Sequence, residues 1–156
     1  EIAGDRKPRA LIQTAADESA PRFSPDGRWI GYVSDASGRT EVYVQPYPPT
    51  GEKWQITNSG AREPVWAPGG AELIYRDQNK LMAVEIKTQP TFAAGKPRVL
   101  FEGAYEGPIS SRANFDISSD GRRFLMLQKA ARKESSTDIK IVPNWFQEVR
   151  RRAPSK

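Results

Sequence analysis

The chain of 156 residues contains neither cysteine nor histidine. These two absences exclude disulfides, thiolate nucleophiles and Cys/His zinc sites. They also remove the imidazole that a Ser-His-Asp triad needs to take its proton. Acid–base chemistry is left to carboxylates, lysines and tyrosines. No metal and no cofactor is expected. Long apolar runs are missing as well: nothing approaches the roughly 18 to 20 apolar residues that cross a bilayer, so membrane insertion is not expected. The opening residues Glu1, Ile2, Ala3, Gly4, Asp5 and Arg6 do not form a signal peptide, and any targeting segment is expected to be absent or already removed. The lack of cysteine leaves the compartment open between cytosol and periplasm.

Turn residues are plentiful. Thirteen prolines and twelve glycines fall at intervals between short apolar runs, which is how turns between strands are spaced, and not how a disordered tract looks. The net charge of +5 owes much to Arg150, Arg151, Arg152 and Lys156, a run that reads as a solvated tail. No stripe of lysine or arginine alternates with aromatics on one face, so nucleic acid is not expected as a partner.

The chain repeats itself. Phe23-Ser24-Pro25-Asp26-Gly27-Arg28-Trp29-Ile30-Gly31-Tyr32-Val33 aligns with Trp66-Ala67-Pro68-Gly69-Gly70-Ala71-Glu72-Leu73-Ile74-Tyr75-Arg76. Both align with Ile117-Ser118-Ser119-Asp120-Gly121-Arg122-Arg123-Phe124-Leu125-Met126-Leu127, at spacings of 43 and then 51 residues. That is the period of a propeller blade, about 40 to 50 residues. In each copy an apolar strand ends at Phe23, Trp66 or Ile117, and a tight turn with glycine at its φ > 0 position sends the chain into a second strand. Third strands follow at Glu41–Gln45, Leu81–Ile86 and Asp138–Val142, and fourth strands at Lys53–Thr57 and Arg98–Phe101. The third copy lacks a fourth strand, because Pro143 stops it and Asn144–Arg150 reads as a short helix capped by Asn144. The missing strand is expected at the other end, where Lys7-Pro8-Arg9-Ala10-Leu11-Ile12 matches Lys96-Pro97-Arg98-Val99-Leu100-Phe101.

The expected fold is therefore all-β: three β-propeller blades of four antiparallel strands, half of a six-bladed ring, with a short C-terminal helix. Residues 1–143 make the three-blade unit, with the strand at 7–13 completing the last blade in the same chain or in a partner, and residues 144–156 make the helix and basic tail. Propellers have four to eight blades. Three leave two open ends, and exposed apolar ends call for an interface. A homodimer that completes the ring with two-fold symmetry is expected; the alternative is that the chain is the C-terminal half of a longer propeller.

Residues Glu18–Ser34 together with Gly38–Val44 resemble the TolB-like, WD-related propeller repeat. The likeness weakens in the second copy, which has Gly69 in place of the usual Asp, and in the third, which lacks the proline. The ending Asn144–Arg150 is similar to the terminus of propellers behind bacterial eukaryotic-type Ser/Thr kinase domains, which act as sensor or interaction modules. No kinase motif is present. The same repeat occurs in prolyl-oligopeptidase-like hydrolases, but neither a Gly-x-Ser-x-Gly elbow nor a histidine stands here. The resemblance implies a non-catalytic scaffold for protein or peptide binding. It also favours, on that ground alone, a periplasmic or extracytoplasmic location.

Trp66, at the end of an inner strand, reads as core; Trp29 and Trp54 could serve either packing or stacking of a ligand. Asp26 and Asp120, repeated at one turn, read as turn-formers rather than ligands. The loops into the innermost strands ring one mouth of a propeller channel. They place Glu18, Arg62, Glu63, Ser111, Arg112 and Asn114 there as candidate ligand-binding residues, against the plainer reading of salt bridges that solvate the rim. No enzymatic activity is expected. The alternatives are a carboxylate-dependent glycosidase or lyase, whose two acids at the channel mouth would be Glu18 and Glu63 about 5 to 10 Å apart, and a fragment of a larger sensor kinase or hydrolase.

Overall fold

The computed structural model describes residues 7–107 and 113–128. Among these residues all regular structure is β, and every strand pair is antiparallel. β1 (Glu18–Phe23), β2 (Trp29–Ser34), β3 (Glu41–Pro46) and β4 (Trp54–Gln55) form the first sheet in that order. β5 (Arg62–Trp66), β6 (Glu72–Asp77) and β7 (Lys80–Lys87) begin the second. Its outer position is shared by two strands: β8 (Ala93–Ala94) pairs with Ile86 and Lys87, and β9 (Arg98–Glu102) pairs with Lys80 to Ala83. β10 (Phe115–Ile117) and β11 (Phe124–Met126) form the first hairpin of a third unit. The sheets are propeller blades, two of them complete. The strand expected at 138–142 and the helix expected over 144–150 lie outside the described residues.

One turn geometry serves all three units. Ser24 N–H donates to Trp29 O, Ala67 N–H to Glu72 O, and Ser118 N–H to Arg123 O, at 2.8 to 2.9 Å. Within each turn Gly27, Gly70 and Gly121 donate back at 2.8 Å, and their φ values of 69°, 71° and 70° lie where a Cβ is strained. Ser24 and Ser118 add side-chain bonds: each hydroxyl accepts from the backbone five residues on and donates to the carboxylate of Asp26 or Asp120. The turn role of these two aspartates is thus direct. The middle turn, with Ala67 and Gly69, relies on its backbone alone.

The core lies between the blades rather than within one. Neighbouring residues of a strand point to opposite faces, and here both faces are apolar. Val33, Val42 and Val44 of the first blade meet Trp66, Leu73, Tyr75, Val84 and Ile86 of the second. On the other face of the second blade Ile74, Leu81 and Ala83 meet Phe115, with Ile117, Phe124 and Met126 packed against them. Gly31 makes the first contact close: a Cβ there would stand 3.3 Å from Trp66 Nε1 and 3.4 Å from Leu73 Cδ1. Trp66 is core, as its place in the repeat implies, and its indole N–H donates to Arg22 O at 3.1 Å across the blade boundary.

The N-terminal segment departs from expectation. Residues 7–13 are irregular rather than a strand. A strand there needs an edge to pair with, and its intended partner, 138–142, falls outside the described residues. Ile12 instead packs on Ile30, Tyr32 and Tyr43, on the face of the first blade that has no blade beside it.

Candidate functional site

β1 and β5 each carry a bulge near their start, where the pairing register shifts between Ser19 and Arg22 and between Arg62 and Val65. Ala20 and Glu63 take φ values of 52° and 58° at these bulges. Such irregularities re-aim side chains, and in β5 the result is a buried carboxylate: Glu63 is 2% exposed. Its Oε2 accepts the backbone N–H of Asn114 at 2.8 Å, tying the second blade to the segment that leads into β10. Its Oε1 stands 3.3 Å from Nε of Arg76, which is itself buried. That contact is ionic without hydrogen-bond geometry: Glu63 Oε1 and Arg76 Nε and Nη2 all lack a hydrogen-bond partner.

A cavity of about 330 Å³ opens beside this pair, lined by Gly60, Arg62, Arg76, Gln78 and Gly107. Asn114 closes the same corner, its Nδ2 donating to Gly107 O at 2.5 Å. Of the residues singled out in the sequence, the structure brings together Arg62, Glu63 and Asn114. Glu18 is elsewhere: its carboxylate accepts from Thr14 Oγ1 at 2.5 Å and lines a mostly apolar cavity of about 240 Å³ with Leu11, Ile12, Pro21, Ile30 and Tyr32. None of the three cavities described among these residues is lined by both Glu18 and Glu63. Ser111 and Arg112 lie outside the described residues.

Sequence reasoning missed Arg76 and Gln78. Arg76 closes the apolar run Leu73-Ile74-Tyr75, and no turn or repeat singles it out. It missed Glu41 too. Glu41 is fully buried, accepts from Thr57 Oγ1 at 2.5 Å and from Gly60 N–H at 3.1 Å, and pairs with Arg39 Nε at 2.8 Å. It holds the loop that enters the second blade, much as Glu63 holds the approach to the third. A further cavity of about 400 Å³ between β4 and the second blade is lined by Gln55, Thr57, Ser59, Tyr75 and Asp77, among others. Burial, then the charges of Asp77 and Glu41, push the Tyr75 phenol up to about 12. Among the described residues no group of three or more acidic side chains could hold a metal ion, and no helix is long and apolar enough to cross a membrane.

Trp29 and Trp54, left open between packing and ligand stacking, form an aromatic cluster with Phe92. Trp54 stacks on Phe92 with ring centroids 4.2 Å apart, and Trp29 lies 5.8 Å from Trp54 and 5.2 Å from Phe92. Phe92 comes from the loop before β8, so these rings join the two blades.

Repeated antiparallel sheets, packed face to face through a shared core, define the class: this is a chain of β-propeller blades. The repeat is TolB-like. A stretch of 52 residues, 33% of this chain, is 46% identical to the Tol-Pal system protein TolB of Pseudomonas aeruginosa and spans 12% of that protein. The crystal structure of TolB from Acinetobacter baumannii shares the fold, with a TM-score of 0.50 and 19% identity over 72% of this chain and 27% of that one. The match thus covers well under half of either TolB. No family model matches the chain.

Proposed function

We propose that the chain is a non-catalytic scaffold for protein or peptide binding, whose six-bladed ring is completed by a second copy. The observation that carries this reading is, among the described residues, the exposure of large apolar side chains at both ends of the row of blades. In the second blade Trp66 docks on the blade before it, and in the third unit the equivalent Ile117 packs into the core shared with the second blade. In the first blade the equivalent residue is Phe23, and it is 57% exposed. The glycines of the turns tell the same story. Gly70 abuts Pro25 of the preceding turn and Gly121 abuts Pro68, whereas nothing lies within 4 Å of where a Cβ of Gly27 would stand. At the opposite end Leu125 holds the place of Gly31 and Ile74, which face the following blade, and it is 71% exposed.

The binding half of the reading is supported by the mouth formed at Arg62, Glu63, Arg76 and Asn114, and by likeness to a protein named for the Tol-Pal system. Loops presented on a rigid blade are where propellers and other scaffolds place recognition. An array of immobilised peptides of varied sequence tests it. The chain should retain a subset, and Arg62→Glu together with Arg112→Glu should cut that retention at least about tenfold, the loss of about 1.4 kcal/mol, with the melting temperature unchanged. Retention equal in the parent and the double variant would remove this face from the reading.

A further inference from the structure

We propose that the cavity lined by Gly60, Arg62, Arg76, Gln78 and Gly107 receives a peptide carboxylate, held by the guanidinium groups of Arg76 and Arg62. The proposal rests on the reading of this mouth as a peptide-binding surface and names the chemical group that the surface takes. Arg76 is 6% exposed and lines the cavity, and its Nε and Nη2, closed to solvent as the side chain stands, lack hydrogen-bond partners, so a carboxylate engages them only as the guanidinium turns from Glu63 toward the cavity. A guanidinium offers its donors as a planar fork that matches the two oxygens of a carboxylate. Buried donors of this kind are nearly always satisfied, and the group that faces Arg76 satisfies it poorly. Glu63 neutralises the charge at 3.3 Å but spends its other oxygen on the Asn114 N–H.

Charge selects the ligand. Among the described residues at the cavity, Arg62 and Arg76 set against Glu63 leave one net positive charge, which suits a monoanion. A phosphate dianion would place surplus negative charge beside the buried Glu63 carboxylate, where repulsion is poorly screened. Size agrees. About 330 Å³ accommodates a side chain or a chain terminus but no folded domain. Gly60 and Gly107 carry no side chains to obstruct a peptide backbone on the way in.

The test follows the arginine Nε–H signals of the full chain, labelled with nitrogen-15 in arginine, through titration with four probes. These are acetyl-Ala-Ala-Ala with a free C-terminal carboxylate, the same tripeptide as its amide, acetyl-Ala-Glu-Ala amide, and inorganic phosphate. Saturable shifts of the Arg76 and Arg62 signals are expected with the free acid, the glutamyl peptide or both. Which of the two binds more tightly separates a chain terminus from an acidic side chain. Arg62→Gln should weaken that binding about tenfold, a loss of about 1.4 kcal/mol. Arg76→Gln alone would strand the Glu63 charge, so the paired change Glu63→Gln with Arg76→Gln is used; binding should vanish while the amide spectrum stays dispersed. If the paired variant does not fold, the Arg62→Gln titration decides. Tripeptide amide binding as tightly as the free acid at the same residues would overturn the carboxylate and leave the peptide surface standing. Phosphate binding more tightly than either carboxylate peptide would overturn it as well. Silence of the Arg62 and Arg76 signals with every peptide would overturn both.

Discussion

Asp26 gathers three donors within one turn: the Ser24 hydroxyl at 2.6 Å, the Arg28 backbone N–H at 3.1 Å and Arg28 Nε at 2.7 Å. The Ser24 bond first, then those from Arg28, lower its carboxyl to about 2. Asp120 is shifted in the same direction by Ser118 and the Arg122 N–H. A folded value below the ordinary one means that stabilisation is complete above about pH 4 and drains away as pH falls toward about 2. Asp26→Asn should therefore flatten the dependence of melting temperature on pH across that window. Because Asp26 is largely exposed, the loss at neutral pH should stay under about 1 kcal/mol. An acid limb as steep as the parent's would show that the turn does not hold the carboxylate in solution. These aspartates and Trp66 were legible in the sequence because the aspartate recurs at one turn position in the first and third copies, and a large apolar residue, Phe23, Trp66 or Ile117, ends the first strand of all three. Glu63 and Arg76 were not both legible. Glu63 was placed at the mouth, but its burial depends on a bulge at φ 58°, and a non-glycine residue at positive φ leaves no mark in composition. Arg76 reads as one more residue of a strand until the fold shows what faces it.

At the scale of the element, the hairpins and the outer strands at Trp54–Gln55 and Arg98–Glu102 were legible, and the division of the second blade's edge was not. A turn is local chemistry, and Ser-Pro-Asp-Gly states it within four residues. The fourth strand answers to whatever lies beside the third. In the second blade that edge is divided between β8 and β9, and β8 is only Ala93 and Ala94, too short and too small to carry a periodic signal. Its value lies in what precedes it, since the loop brings Phe92 against Trp54 and Trp29. Residues 7–13, expected as a strand from their match to Lys96–Phe101, are irregular here, and the edge they were expected to pair with, at 138–142, lies outside the described residues. The aromatic contact can be weighed directly. Stacked pairs contribute about 0.5–1.5 kcal/mol beyond the area they bury. In a double-mutant cycle of Trp54→Ala and Phe92→Ala followed by urea unfolding, the two changes should couple by that amount. Strict additivity would mean that the rings lie side by side without joining the blades.

At the scale of the whole molecule, the argument concerns what two open ends imply. Each blade buries apolar residues on both faces, so a blade at the end of a row has one face without its neighbour. Phe23 stands edge-on to the Tyr47 ring with centroids 5.1 Å apart and is 57% exposed, and Leu125 and Leu127 are 71% and 51% exposed. Burial of such side chains is worth about 1.5–3 kcal/mol each relative to exposure, a strong incentive for the two ends to find each other. If the ring closes with a second copy, light scattering behind a sizing column should return twice the mass of one chain at micromolar concentration. Phe23→Glu and Leu125→Glu should each return a single chain, because a carboxylate then sits where a preceding or a following blade would press. Both positions are exposed in the lone chain, so its own unfolding should change by no more than about 0.5 kcal/mol. The two substitutions lie at opposite ends of the row of blades. A head-to-tail ring joins each end to the other, so either change should break both junctions equally, while a dimer joined only through first blades would yield to Phe23→Glu and ignore Leu125→Glu. A parent chain that is a monomer would assign the missing blades to polypeptide other than a second copy.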